Sequence, residues 1–303
     1  MAVHTFDPPA FCNRLGGPEP PALTLGSGDT VITKTLDAHG FNEHEEPAGL
    51  RPNPLTGPFQ ISEADPGDCL AVRFEQLSPN RSTAWSHRYL AENVLEPSLV
   101  RRLPEQDYAR WIIDAQSRRV RPADPPAALA GWSLPLEPFL GCIGTAPADG
   151  QTLSSAAAGP HGGNMDYPGL REGTTLYLPV FVPGARLYLG DGHATQSDGE
   201  IAGSGTEVSF DVRFTVTVLK GRRIGWPRGE NAEWLFTLGN ARPLEQALQQ
   251  ATGEMMSWLE ERCRLDPAAV GLLMGQAVRY EVGNVYDPAY TLVCKLPKRS
   301  LPG

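Results

Sequence analysis

Lysine is scarce: the 303 residues contain four (Lys34, Lys220, Lys295 and Lys298), and 26 basic residues face 35 acidic ones. A formal charge of −9 leaves no basic stripe to neutralise phosphates, which argues against a nucleic-acid partner. So few lysines also leave Ser–Lys and Glu–Lys–Cys hydrolase schemes short of candidates. No run of about 18 apolar residues occurs, so no membrane span is expected. The opening MAVHTFDPPAF lacks the charged and apolar regions of a secretory signal. The five cysteines (Cys12, Cys69, Cys142, Cys263, Cys294) have no CxxC spacing. They read as free buried thiols in a reducing compartment rather than a zinc-thiolate site. A GxSxG nucleophile elbow, a phosphate loop and a dinucleotide fingerprint are all missing. The expectation is a soluble cytoplasmic protein.

What the chain has in excess is glycine and proline, 32 and 29 residues. Together they make up about a fifth of the chain, against about an eighth in average usage. That punctuation predicts many short strands joined by turns. Strands are expected at 30–36, 59–62 and 69–77, and at 174–182 and 186–189 as an out-and-back pair about Pro183-Gly184; 108–113 fits strand or helix, with strand preferred. In 208–218 the residues Val208, Phe210, Val212, Phe214, Val216 and Val218 share one face at period two. The Pro183-Gly184 turn echoes Pro66-Gly67, a faint internal repeat. Leu244, Leu248, Ala251, Met255, Leu259 and Cys263 recur at helical spacing through 243–264. Asp266-Pro267 then supplies an N-cap and first-turn proline for a second helix at 267–276, with strands near 278–281 and 290–296. The predicted class is α+β, predominantly β: antiparallel sandwich-like or barrel-like sheets with two C-terminal helices. One unit over 1–303 is expected, divisible into two interlocked β-rich parts (about 1–150 and 151–303).

The densest chemistry lies in Asp191-Gly-His193-Ala-Thr-Gln196-Ser-Asp198-Gly-Glu200. Asp191 and His193 leave the same face of a strand end, and one carboxylate beside one imidazole suits a borderline metal such as zinc. A calcium loop starting at Asp191 fails, because it needs glycine at Gln196 and glutamate at Ala202. A second cluster is His161-Gly162-Gly163-Asn164-Met165-Asp166, where a glycine pair could turn backbone N–H groups towards an oxyanion. Among the acids and histidines of 37–46, Asp37 stands out at the end of a β-prone run. His87 reads as structural.

The run HGGNMDYPGLREGTTLYLPVFVPGARLYLGDGHATQSDGEIAGSGTEVSFDV resembles the central signature of the acetamidase/formamidase family. The segments NPLTGP (53–58) with EADPGD, GCIGTAP (141–147) and DPAYTLVCKLPK follow in the family's order. The resemblance implies hydrolysis of the C–N bond of short aliphatic amides with release of ammonia. It also implies a divalent metal, zinc in particular, a homo-oligomer and a β-rich fold. By motif, Asp166, Asp191, His193, Gln196, Asp198 and Glu200 would line the site, and Asp37 matches an early acidic position. The chain departs from the family in reading AHGFNEHEE after that acid, and in having Asn53 where members often have histidine. The combined expectation gives Asp191, His193, Asp166 and Asp37 to the metal, and Glu200 or Asp198 to general-base duty. The Gly162 and Gly163 amides or Asn164 are expected at the oxyanion. Which acid is ligand and which is base stays open at this level, and a non-catalytic small-molecule or metal-binding protein on the same scaffold is the alternative. One pocket requires the Asp166 carboxylate within ~10 Å of the His193 ring, since ligands bind metal at ~2 Å.

Overall fold

The computed structural model describes residues 1–302. Two large sheets face each other. The first has nine strands in the order Val3–Thr5, Thr30–Thr35, Phe210–Leu219, Cys69–Pro79, Thr175–Pro179, Arg228–Glu230, Trp234–Ala241, Tyr290–Pro297 and Arg279–Val282. The second has six: Ala158–Gly159, Gly162–Asn164, Phe139–Gly144, Leu187–His193, Leu55–Ile61 and Leu23–Leu25. Both sheets contain strands from before and after residue 150, interleaved at Phe210–Leu219, Cys69–Pro79 and Thr175–Pro179 in one and at Phe139–Gly144, Leu187–His193 and Leu55–Ile61 in the other. Pairing is antiparallel except for Val3–Thr5 with Thr30–Thr35 and Leu23–Leu25 with Leu55–Ile61.

The main core fills the space between the sheets. Phe59, Leu140, Ile143, Leu187 and Leu189 from one meet Val72, Phe74, Leu176, Phe214 and Val216 from the other, all fully buried. The period-two face of Phe210–Leu219 is the reason: Val208, Phe210, Val212, Phe214 and Val216 point inwards, while Val218 at the strand's end is half-buried. The helix Leu244–Cys263 lays Ala247, Ala251, Met255, Trp258 and Leu259 on the far end of the larger sheet, against Leu235, Leu292 and Leu296. The helix Pro267–Ala277 follows, and the Asp266 side chain accepts from the Ala269 N–H at 2.8 Å. Such a cap stabilises by about 1 kcal/mol. Among the described residues no helix is long and apolar enough to cross a membrane.

The expected hairpin about Pro183-Gly184 does not form. Thr175–Pro179 belongs to the nine-stranded sheet and Leu187–His193 to the six-stranded one, so that turn carries the chain across the core. The turn between Leu55–Ile61 and Cys69–Pro79 crosses in the opposite sense. The two crossings lie side by side: Gly67 N–H donates to Val180 O (3.0 Å) and Gly184 N–H to Ala64 O (2.8 Å). The four strands involved pair antiparallel, two in each sheet. A smaller four-stranded sheet, Leu134–Pro135, Arg119–Pro122, Tyr108–Asp114 and Thr83–His87, leans on the six-stranded one through bridges that join Trp85, Glu207 and His193.

Candidate active site

Asp191 and His193 end the strand Leu187–His193, whose neighbour Phe139–Gly144 places Gly141 beside them. The Gly141 carbonyl accepts from the Met165 and Asp166 N–H groups, which hooks Asp166 onto the same spot. A Cβ on Gly141 would stand 2.3 Å from Asp166 Oδ1 and 2.6 Å from Asp191 Oδ2, so glycine there makes room for both carboxylates. Asp166, Asp191 and Glu200 all have φ between 44° and 61°. Left-handed backbone at non-glycine residues costs of order 1–3 kcal/mol each and concentrates at functional sites.

Candidate ligand atoms of Asp166, Asp191 and His193 lie within 4.8 Å of one another. The same holds for His193, Glu200 and Glu207, and for Asp166, Glu200 and Asp287. The single-pocket expectation is therefore met. Gln196 explains how the imidazole is set. Its amide nitrogen Nε2 donates to Asp166 O (2.7 Å) and Gly283 O (3.1 Å), which leaves Oε1 facing His193 Nδ1 at 2.8 Å. An acceptor at that position assigns the proton to Nδ1 and turns the Nε2 lone pair inwards. Glu207 Oε1 stands 3.0 Å and Asp191 Oδ1 3.4 Å from Nε2, neither in hydrogen-bonding alignment. Four buried atoms are thus left without hydrogen-bond partners: Asp166 Oδ1, Asp191 Oδ1, His193 Nε2 and Glu207 Oε2. Buried polar atoms are normally paired, and three carboxylate oxygens with one imidazole nitrogen form a donor set that fits a divalent cation.

The charges tell the same story. Burial, with Glu200, Asp287 and Asp191 nearby, pushes the Asp166 carboxyl far above the usual carboxylate range. Burial and Asp287 do the same to Glu200. Glu207 is raised to about 7 by burial, with His193 opposing and Asp191 adding to the rise. Asp287 is raised to about 6 by burial, against hydrogen bonds from its neighbours. Burial alone would lower the His193 imidazole, but Glu207 and Asp191 outweigh it and hold it well above its ordinary value.

The remaining expectations fare unevenly. Asp37 is fully buried but outside these clusters: Oδ1 accepts from the His39 and Phe41 N–H groups (3.0 Å each), and Oδ2 from Arg81 (2.5 Å) and Trp85 Nε1 (3.1 Å). With its acceptors taken and a guanidinium against it, Asp37 anchors the early loop instead of offering a ligand atom. Asp198 is exposed and faces Glu281 and Lys295, whereas Glu200 faces the cavity. Gly162 and Gly163 form a strand flanked on both sides and line no part of the cavity; a Cβ on Gly163 would lie 2.2 Å from Ala157 O. The close approach of strands explains that glycine pair. Asn164 does reach the cavity, but both its N–H bonds go to Asp166 (2.8 Å) and Asp287 (2.5 Å), so it orients carboxylates rather than facing an oxyanion.

Glu207 and Asp287 were not singled out from sequence. Glu207 precedes an alternating strand, where its odd position reads as solvent-facing. Asp287 sits in the DPAY segment, whose place in the motif order was the available signal. Asn53 donates to Asn164 Oδ1 at 2.9 Å. Above the acids lies a cavity of about 260 Å³ walled by His39, Trp85, His87 and Tyr286. The His39 and Trp85 rings stack at 3.7 Å and 19°. A larger groove, of about 880 Å³, runs between residues 77–82 and 135–138 and holds none of the clustered acids.

The acetamidase/formamidase family model matches residues 10–158 and 150–243. The chain belongs to the acetamidase/formamidase family. It is similar across 99% of its length to an acetamidase structure from Yersinia enterocolitica, with 28% identity, a TM-score of 0.85 and 93% of that chain covered. An acetamidase structure from Bacillus halodurans matches with 30% identity, a TM-score of 0.84 and 98% of each chain covered. A Schizosaccharomyces pombe protein named for formamidase activity is 24% identical over 276 residues, 71% of this chain; the match spans 65% of that relative's length. In this family member the buried acids and His193 are compatible with a metal.

Proposed function

We propose that the protein hydrolyses the C–N bond of short primary amides to a carboxylate and ammonia, with a divalent cation, zinc, held by Asp166, Asp191 and His193. The observation that carries this reading is the convergence of unpartnered Asp166 Oδ1, Asp191 Oδ1 and His193 Nε2 beside a cavity that Asp191 lines. Such an ion supplies Lewis acidity towards the amide carbonyl and makes water a better nucleophile near neutrality. Glu200 lines the cavity next to His193 and Glu207 and acts as the general base. It takes a proton from the attacking water; when the C–N bond breaks, it returns that proton to the departing nitrogen. Asn164 holds Asp166 and Asp287 in place, and Gln196 fixes the His193 ring. Five free cysteines support a cytoplasmic setting. The exposed Leu272, on a helix without charged residues, supports a homo-oligomer.

The test is ammonia release from formamide, acetamide and propionamide by the purified protein, zinc-loaded or chelator-stripped. Turnover is expected only with metal. Glu200→Gln should keep the metal and lose about 10²–10⁴ in rate, while His193→Ala should lose the metal. Zinc binding with no ammonia from any of these amides would favour a non-catalytic binding protein on the same scaffold. Equal metal loss in both variants would make Glu200 a ligand.

A further inference from the structure

The cavity is polarised from floor to mouth. Its floor presents acceptors: Asp191, Glu200, Glu207 and Asp287. Its mouth presents donors. The Ser204 oxygen accepts the His87 N–H at 2.8 Å, which leaves its own O–H to donate, and the Tyr286 side chain is 40% exposed at the rim. The strongest donor there is Arg51. Among the described residues it is the only arginine or lysine lining this cavity, and its guanidinium forms no ion pair and no hydrogen bond. The nearby arginines are committed elsewhere, Arg81 to Asp37 and Arg110 to Glu45. An exposed arginine is ordinarily just solvated. Arg51 differs in standing over a recess in a chain of net charge −9, with no acid of its own.

Between floor and mouth the walls are flat and uncharged. His39 and Trp85 stack on each other, and Asp37 fixes both from behind by accepting from the His39 N–H and Trp85 Nε1. Burial and the Arg51 charge lower the His39 imidazole to about 4, and burial lowers His87, so at pH 7 neither ring adds charge. The cavity of about 260 Å³ corresponds to roughly eight water volumes, more than formamide or acetamide occupies.

We propose that this site selects primary amides carrying a second, ionised carboxylate on a short aliphatic arm, and that Arg51 is the residue that reads that charge. The proposal rests on the amide-hydrolase reading for its floor: the amide enters first, its N–H groups towards the acids. The methylene arm lies between the Trp85 and His39 rings and the opposite wall, and the carboxylate meets the Arg51 guanidinium. A charge-assisted pair of this kind discriminates more strongly than the arm's contacts do.

The experiment compares kcat/KM for succinamate with that for butyramide, which has the same arm ending in a methyl group, and for benzamide. The proteins are the zinc-loaded wild type, Arg51→Gln and Arg51→Lys. The wild type is expected to prefer succinamate to butyramide at least tenfold. Arg51→Gln should cut that ratio by about 10–100-fold, Arg51→Lys should restore part of it, and added salt should lower it in the wild type. A wild type that hydrolyses butyramide or benzamide as well as succinamate overturns the proposal, as does an unchanged ratio in Arg51→Gln. Calorimetric titration of chelator-stripped protein with succinamate against butyramide, which has no carboxylate, reads the rim without turnover. Succinamate should bind more tightly, and less so in Arg51→Gln; equal binding overturns the proposal even where no amide is cleaved. Absence of ammonia from every amide, with selective succinamate binding intact, would refute the hydrolase reading and leave the charge selection standing.

Discussion

Glu207 provides a quantitative handle on the acid cluster. Its carboxyl is fully buried and titrates at about 7 in the folded chain against an ordinary value of 4.5. The folded state therefore keeps a proton that the unfolded state has released once pH passes 4.5. Folding stability falls as pH rises through the window from about 4.5 to 7. A rise of that size is worth about 3 kcal/mol of stability, present below pH 4.5 and gone above pH 7. The perturbation is Glu207→Gln in chelator-stripped protein, since glutamine has the shape but not the titration. The assay is urea unfolding at half-unit steps from pH 4 to 8, read as the difference between wild type and variant, which cancels the groups that do not interact with Glu207. Wild type should lose about 3 kcal/mol relative to the variant across the window. Zinc should narrow the gap at pH 7.5, because a cation held beside Glu207 favours its ionised form. Parallel curves for the two stripped proteins would refute the reasoning, because Glu207 would then be as well solvated folded as unfolded.

Gly141→Ala puts a methyl group within 2.3 Å of Asp166 Oδ1 and 2.6 Å of Asp191 Oδ2; zinc content should fall severalfold with a stability loss of about 1–3 kcal/mol, checked by metal analysis and thermal unfolding. His161 is buried away from every charge, and burial alone lowers its imidazole to about 4. Below pH 6.5 the unfolded chain takes up a proton the folded chain refuses, so wild type should lose about 3 kcal/mol relative to His161→Gln between pH 6.5 and 4, measured by the same urea titrations. Burial raises the Cys69 thiol to about 12 and Cys12 to about 11, so thiol reagents at pH 8 should label native protein slowly and denatured, unreduced protein at all five cysteines.

Local pattern carried a good part of the fold. The alternation through Val208–Val216, the helical spacing from Leu244 to Cys263 and the Asp266-Pro267 start signal each correspond to an observed element, because each depends on neighbours a few residues away. The Pro183-Gly184 turn was misread because a turn's residues report how sharply the chain bends, not which sheet receives it. The site divides along the same line. Asp166, Asp191, His193 and Glu200 lie in two contiguous motifs and were legible. Asp37 reads as a ligand because its partner Arg81 is 44 residues away, and Glu207 goes unmarked because only the tertiary bridge to His193 ties it to the site.

The hydrogen-bond net that holds Asp166 is closed from the far end of the chain: Asn284 Nδ2 donates to Asp166 Oδ2 at 3.1 Å, and Asp287 accepts from Asn164. A domain generally folds as a unit, and its chain emerges N-terminus first during synthesis. Here Asn53, Asn164 and the 191–207 segment all emerge before the residues that complete their arrangement. Neither the buried acid cluster nor the cavity above it can reach its final form before residues 284–287 are made. The enclosure is thus completed by the strand pairing of Tyr290–Pro297 against Trp234–Ala241, and a chain cut short before residue 284 has the 161–166 and 191–200 motifs but neither Asp287 nor that enclosure.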